Sequence, residues 1–240
     1  MNMLAPARSG MCVEVVFDFV CPWCCMGVNR TVSVFDSRQD VDVVYRWRPF
    51  LLNPSLTTDG MDFRTYLRAL HGTDERIERL LVLIETHARQ FDSLIRFDRI
   101  TRVPATLNAH RLVEWASSRG NCTPLILGIF EAFFRDGSNI AEPVVLADIA
   151  ERHGFDRDLA LHFLSGQTLA GTVTSGQIKA QKAGINGVPS LMIEGLTLTG
   201  VHDEPVLHKL MDAALWISGP ENNLAIRQQG AGLSSLFQVS

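Results

Sequence analysis

Cys21 and Cys24 are separated only by Pro22 and Trp23, and they follow an apolar, β-type run from Val13 to Phe19. Two thiols in that setting form a redox couple if the segment they open is helical. Pro22 suits the first helical position, where a missing N–H costs nothing. Cys21 then sits at the helix mouth and Cys24 one turn on, on the same side. The first turn can tighten enough to bring the two Cβ atoms to the roughly 4 Å that a disulfide needs. Unpaired backbone N–H groups and the helix dipole favour negative charge at the helix start and fade within a turn. Cys21 is therefore the expected attacking thiolate and leaving group, and Cys24 the resolving thiol. Trp23 carries no charge, so the couple should be less oxidising than one with histidine between the cysteines.

The chain has 240 residues and five cysteines. An odd number cannot all pair within one chain, and a reducing cytosol would keep structural disulfides open. A zinc site would need a second Cys-x-x-Cys or a His-x3–5-His, and the seven histidines are scattered singly. Cys12 and Cys122 read as small packing residues. Apolar residues make up 46% of the chain and the net charge is −4. Arg96, Arg99 and Arg102 alternate with Asp98 and apolar residues and form no basic stripe, so neither nucleic acid nor membrane is an expected partner. Pro6, Arg8, Ser9 and Gly10 stand where a signal peptide needs its apolar stretch, and the expected location is the cytoplasm.

These thiols need a strand–helix junction to hold them. The active-site helix is expected to run to about Phe35, with a second strand over Val41 to Trp47 ended by Arg48-Pro49. From Asp62 to about Ser165 the periods turn helical. Leu80, Leu83, Ile84, His87 and Phe91 make one stripe, and Leu107, Arg111, Leu112, Trp115 and Ala116 another. Pro124 to Phe134 and Pro143 to His153 read as helices bounded by Gly137 and Gly154. A helix over Thr168 to Ala183 closes at Gly184. A hairpin of Ser190 to Ile193 and Leu196 to Thr199 follows, then a last helix over Glu204 to Ile217. The expected fold is α/β. A β-α-β unit and a β-β-α unit, residues 11–61 and 166–218, share one mixed sheet, interrupted by an all-helical insertion at 62–165 and followed by a tail at 219–240.

Four stretches carry a resemblance to a known family: Phe17-Asp18-Phe19-Val20-Cys21-Pro22-Trp23-Cys24, Trp47-Arg48-Pro49-Phe50-Leu51-Leu52-Asn53-Pro54, Asn108-Ala109-His110-Arg111-Leu112, and Gly184-Ile185-Asn186-Gly187-Val188-Pro189. With this order of elements, the chain resembles the DsbA family of the thioredoxin superfamily, and most of all its cytoplasmic FrnE-like branch. The resemblance implies a thioredoxin-like fold and a cis bond before Pro189, with Val188, Pro189, Pro22 and Trp23 forming a substrate platform beside Cys21. An extended substrate could add there as a strand. Two residues depart from the pattern. Cys25 stands where an aromatic residue is usual and can compete as a resolving thiol or simply pack under the helix, and Ser190 should make the platform more polar. Asn53, Asn108, His110 and Arg111 either border a cleft or serve as caps and ties.

The leading expectation is an enzyme that exchanges disulfides with protein or low-molecular-weight thiols. It needs no bound cofactor, although glutathione is a candidate redox partner, and a homodimer stays open. Two other classes share the architecture. Glutathione-dependent isomerases and transferases of the 2-hydroxychromene-2-carboxylate and kappa types resemble it, but commonly present serine at the position of Cys21 and lack the second cysteine. A non-catalytic, redox-sensing peptide-binding module is the third.

Overall fold

The computed structural model describes residues 9–182 and 184–219, so nearly all of the tail expected at 219–240 lies outside the described residues. Strand β1 (Ser9–Phe17) is the central strand. It pairs in parallel with β2 (Val41–Pro49) along its whole length, from Ser9 opposite Val41 to Phe17 opposite Pro49. On its other side it pairs antiparallel with β5 (Ser190–Ile193), which forms a hairpin with β6 (Leu196–Thr199). The sheet order is β2-β1-β5-β6. Glu194 and Gly195 both have positive φ, the backbone that a two-residue hairpin loop needs.

Strand β1 buries apolar side chains on both of its faces, continuously on one and at its end on the other. Met11, Val13, Val15 and Phe17 of β1 are buried in the main core, and Val16, pointing the other way, packs with Phe50 and Ile185 in a second, smaller cluster. Helices α1 (Pro22–Asp36) and α9 (Glu204–Ser218) pack together in the main core, while α8 (Ala170–Lys182) covers β2 and the smaller cluster. The mixed sheet thus has helices on both faces.

Between β2 and α8 lie β3 (Met61–Asp62), α2 (Phe63–His71), α3 (Asp74–Gln90), β4 (Arg102–Val103), α4 (Leu107–Ser117), α5 (Thr123–Phe134), α6 (Pro143–Arg152) and α7 (Arg157–Ser165). The expected all-helical character is corrected here, because β3 and β4 pair as a small antiparallel ribbon, Met61 opposite Val103. Two-residue strands carry no readable period. They meet because Gly60, at φ 64, lets the chain press against Val103; a Cβ there would lie 2.4 Å from the Val103 carbonyl oxygen. Helix α7 ends at Ser165, where the helical periods were expected to stop, and the Asp156 carboxylate caps its start by accepting from Leu159 N at 2.8 Å. In α3 the buried stripe is Ile77, Leu81, Ile84 and Ala88, and Leu83 faces outward. Of the expected stripe Ile84 is buried, Leu80 and Phe91 are half-buried against the core and His87 is half-buried, so the buried face is shifted from it only towards Ile77, Leu81 and Ala88.

Candidate active site

Strand β1 stops at Phe17, earlier than its apolar run suggests, and Asp18 to Val20 turn the chain into α1. Cys21 N donates to Asp18 O at 3.2 Å to close that turn. Cys21 is the N-cap of α1 with an extended backbone, φ −87° and ψ 115°, and Pro22 opens the helix. The Cys21 sulfur accepts from Cys24 N at 3.4 Å, so one of the otherwise unpartnered amides of the first turn points at it. Its thiol in turn faces the Val188 carbonyl oxygen at 3.9 Å.

The Val188–Pro189 bond is cis, as the resemblance implies. Pro189 seats against α1 at Gly27, where a Cβ would lie 2.7 Å from the proline Cγ. Only glycine admits that approach. Cys21 is not the open thiol expected of a nucleophile at a helix mouth: it is 6% exposed and more covered than Cys12. Trp23, Val188 and the helices of the intervening segment wall it in.

Cys24 is fully buried, and burial, reinforced by the Cys21 sulfur beside it, pushes its thiol well above the ordinary range. Cys24 therefore holds its proton. Cys25 is pushed up to about 12 by burial. Its sulfur accepts from Asn29 Nδ2 at 3.6 Å and it borders a separate cavity with Ser93, Gly128 and His153. Ser190 departs from expectation as well. It is buried, with its hydroxyl donating to Gly187 O at 2.7 Å and bonded to Thr199 Oγ1 at 2.7 Å, so it adds no polarity to the platform.

Below Cys24 the sequence reading missed a buried pair. Asp18, completely buried, accepts from Leu52 N at 2.7 Å through Oδ2, while Oδ1 faces His110 Nε2 at 3.6 Å, and neither of those last two atoms has a hydrogen-bond partner. The signal was available: a carboxylate inside an otherwise apolar run is costly unless something uses it. Asn53 and Asn108 do both things expected of them, since they line a cavity with Leu51, Pro54, Leu107 and Thr174 and also make ties. Asn53 Nδ2 donates to the Tyr66 hydroxyl at 3.1 Å, and Asn108 links Ala141 O to Arg111.

Beside the Cys21 sulfur opens a cavity of about 370 Å³. Trp23 and Val188 form its near wall, and α2, α3 and the core of the intervening segment form the rest. Among the described residues no group of three or more His, Cys, Asp or Glu side chains is placed to hold a metal ion.

The fold is similar to that of a probable DsbA oxidoreductase from Streptomyces coelicolor, at 24% identity and TM-score 0.77, covering 88% of this chain and 92% of that one. A cytosolic disulfide reductase, DsbM, from Pseudomonas aeruginosa matches at 17% identity and TM-score 0.62 over 86% of this chain and 99% of that one. A 2-hydroxychromene-2-carboxylate isomerase matches at 16% identity and TM-score 0.61 over 93% and 99%. At these identities the likeness is one of fold. The model of the DsbA-like thioredoxin domain family matches residues 12–212, nearly all of the described chain, and the protein belongs to that family.

Proposed function

We propose that the protein is a thiol–disulfide oxidoreductase whose redox couple is Cys21 and Cys24. The observation that carries this reading is the asymmetry of the pair. Cys21 caps α1 with an amide aimed at its sulfur and the Val188 carbonyl beside it, whereas Cys24 is sealed beneath and held protonated.

In the reducing direction the Cys21 thiolate attacks a substrate disulfide, forming a mixed disulfide and releasing one substrate thiolate. Cys24 then loses its proton and attacks Cys21, which closes the intramolecular disulfide and frees the second substrate thiol. The substrate gains two electrons and the protein loses two. In a reducing compartment the couple rests as a dithiol, which favours reductase or isomerase work, and a cytoplasmic location fits that direction. Among the described residues no helix is long and apolar enough to cross a membrane. The FrnE-like assignment within the family rests on the four motifs. The intact cysteine pair weighs against the glutathione-dependent isomerase reading, whose chemistry holds a glutathione thiolate instead of oxidising it.

Insulin reduction with an external thiol tests the proposal. The wild type should accelerate it and Cys21→Ser should not; equal acceleration by both would refute the assignment. Cys24→Ser should accumulate mixed disulfides at Cys21, because attack survives while the intramolecular escape is lost. A peptide map showing Cys21 joined to Cys25 in the oxidised wild type would transfer the resolving role.

A further inference from the structure

The cavity beside Cys21 has a composition that selects its occupant. Its lining includes Trp23, Leu67, Leu70, Ile84, Phe133 and Val188, and among the described residues that line it there is no lysine, arginine, aspartate or glutamate. Its few polar groups are the Cys21 sulfur, the Trp23 ring N–H, the Tyr66 hydroxyl and His71. The Tyr66 hydroxyl already accepts from Asn53 Nδ2 at 3.1 Å, which leaves its proton free for one acceptor.

Glutathione carries two carboxylates and an ammonium. In this cavity none of them would meet an opposite charge, and an ion moved from water without a partner is strongly disfavoured. An uncharged apolar body attached to a sulfur meets the opposite situation: burying an aromatic side chain of ordinary size favours binding by about tenfold or more. The volume of about 370 Å³ is at the small end of small-molecule pockets, roughly 300–1,000 Å³. From the adjoining sulfur, the absent charges and this size, we infer that the cavity is the acceptor site for low-molecular-weight thiols and disulfides bearing an apolar aromatic or branched alkyl group, with that group lodged between α2, α3 and Trp23 while its sulfur is bonded to Cys21. The inference rests on the exchange reading of Cys21 and Cys24 and names the substrate class for it.

In the exchange a substrate thiolate attacks Sγ of Cys21 in the oxidised protein. The Cys21–Cys24 bond breaks, Cys24 leaves as a thiolate and takes up a proton, and the substrate sulfur is joined to Cys21. A second substrate thiolate attacks the substrate sulfur, the bond from that sulfur to Cys21 breaks with Cys21 leaving as a thiolate, and the symmetrical disulfide is released, so two thiols are oxidised as the protein gains two electrons.

The test uses the oxidised full-length protein with 2-phenylethanethiol, 2-mercaptoethanol and glutathione, following loss of the Cys21–Cys24 disulfide by mass spectrometry after acid quenching. Each rate constant is divided by that of the same thiol with bis(2-hydroxyethyl) disulfide in buffer, which removes intrinsic nucleophilicity. The expected result is a normalised constant for 2-phenylethanethiol at least tenfold above those of the other two. Leu70→Glu, a change at an exposed rim position that leaves the core packing untouched, should cut that advantage at least threefold. Equal normalised constants, or glutathione as the fastest, would overturn the inference. So would a blocked Ala-Cys-Ala peptide outrunning 2-phenylethanethiol, since the site would then serve a peptide chain. If none of the thiols reduces the protein, the exchange reading itself fails, a different result from exchange without preference.

Discussion

His110 and Arg111 are neighbours on α4, both buried, and their surroundings could hardly differ more. Every guanidinium nitrogen of Arg111 has an acceptor. Its guanidinium donates to Thr168 O at 2.8 Å, Asn108 Oδ1 at 2.7 Å, Gly166 O at 2.7 Å and Phe163 O at 3.3 Å, and its carbon lies 5.1 Å from the centre of the Phe163 ring. His110 faces Asp18 at 3.6 Å, and the facing atoms have no hydrogen-bond partner. One residue fastens the segment after α7 to α4; the other completes an unsatisfied acid–base pair behind the thiols. Buried polar groups that satisfy one another hold a fold together, whereas those left open are where a fold keeps its capacity for chemistry.

The contrast breaks first at Arg111. Arg111→Met removes the charged donor from the Gly166 and Thr168 carbonyls and from Asn108 Oδ1, while Phe163 O keeps its bond from Gly166 N, and it should cost about 2 kcal/mol or more in urea unfolding while the folded fraction still exchanges thiols. A loss below about 1 kcal/mol would show that the Arg111 cluster is not a tie.

A smaller effect comes from pH. Cys25 is held neutral in the folded chain, pushed up to about 12 from an ordinary value of 9.0. The folded state therefore keeps a proton that the unfolded state releases. This contribution is whole below pH 9 and is lost as pH rises towards 12, at about 1.4 kcal/mol per pH unit. Cys24 acts in the same direction. Unfolding midpoints at pH 8 and pH 10 should fall in the wild type, and Cys25→Ala should recover about 1 kcal/mol of that difference. An unchanged difference would mean that Cys25 ionises freely where it sits.

The smallest stability change is expected at Asp18. Asp18→Asn keeps an acceptor for Leu52 N and removes a negative charge from the surroundings of Cys24, one of the causes that raise its thiol. Cys24 becomes a better leaving group, so oxidised Asp18→Asn should be reduced by 2-mercaptoethanol about 2–5 times faster, with stability within about 1 kcal/mol of wild type. If it loses as much stability as Arg111→Met, Asp18 is another tie and the distinction disappears.

Much of this was legible in the chain. Pro22 and the cysteine spacing announced the N-cap, and the glycines at 137, 154 and 184 marked helix ends by their positive φ. The hairpin ends fell where expected because β-type runs flank Glu194-Gly195. What stayed hidden depends on distant partners. The β3–β4 ribbon exists only because residues some forty apart meet. Cys21 is covered by side chains of α2 and α3, which no local pattern couples to it. Asp18 and His110 stand in separate motifs, and their pairing follows from how α4 packs on the end of β1.

The contact between Cys21 and the Val188 carbonyl joins residues 167 positions apart. During synthesis at about 5–20 residues per second, the thiols leave the ribosome roughly 10–30 s before the strand that will shelter them. Throughout that interval the Cys21 thiol lacks the carbonyl it will face and the sheet that carries it lacks a neighbour of β1, which leaves the dithiol less guarded against oxidants around the ribosome. Any truncated product ending before β5 keeps that liability for good. Selectivity in this protein is therefore acquired late, when its last quarter arrives.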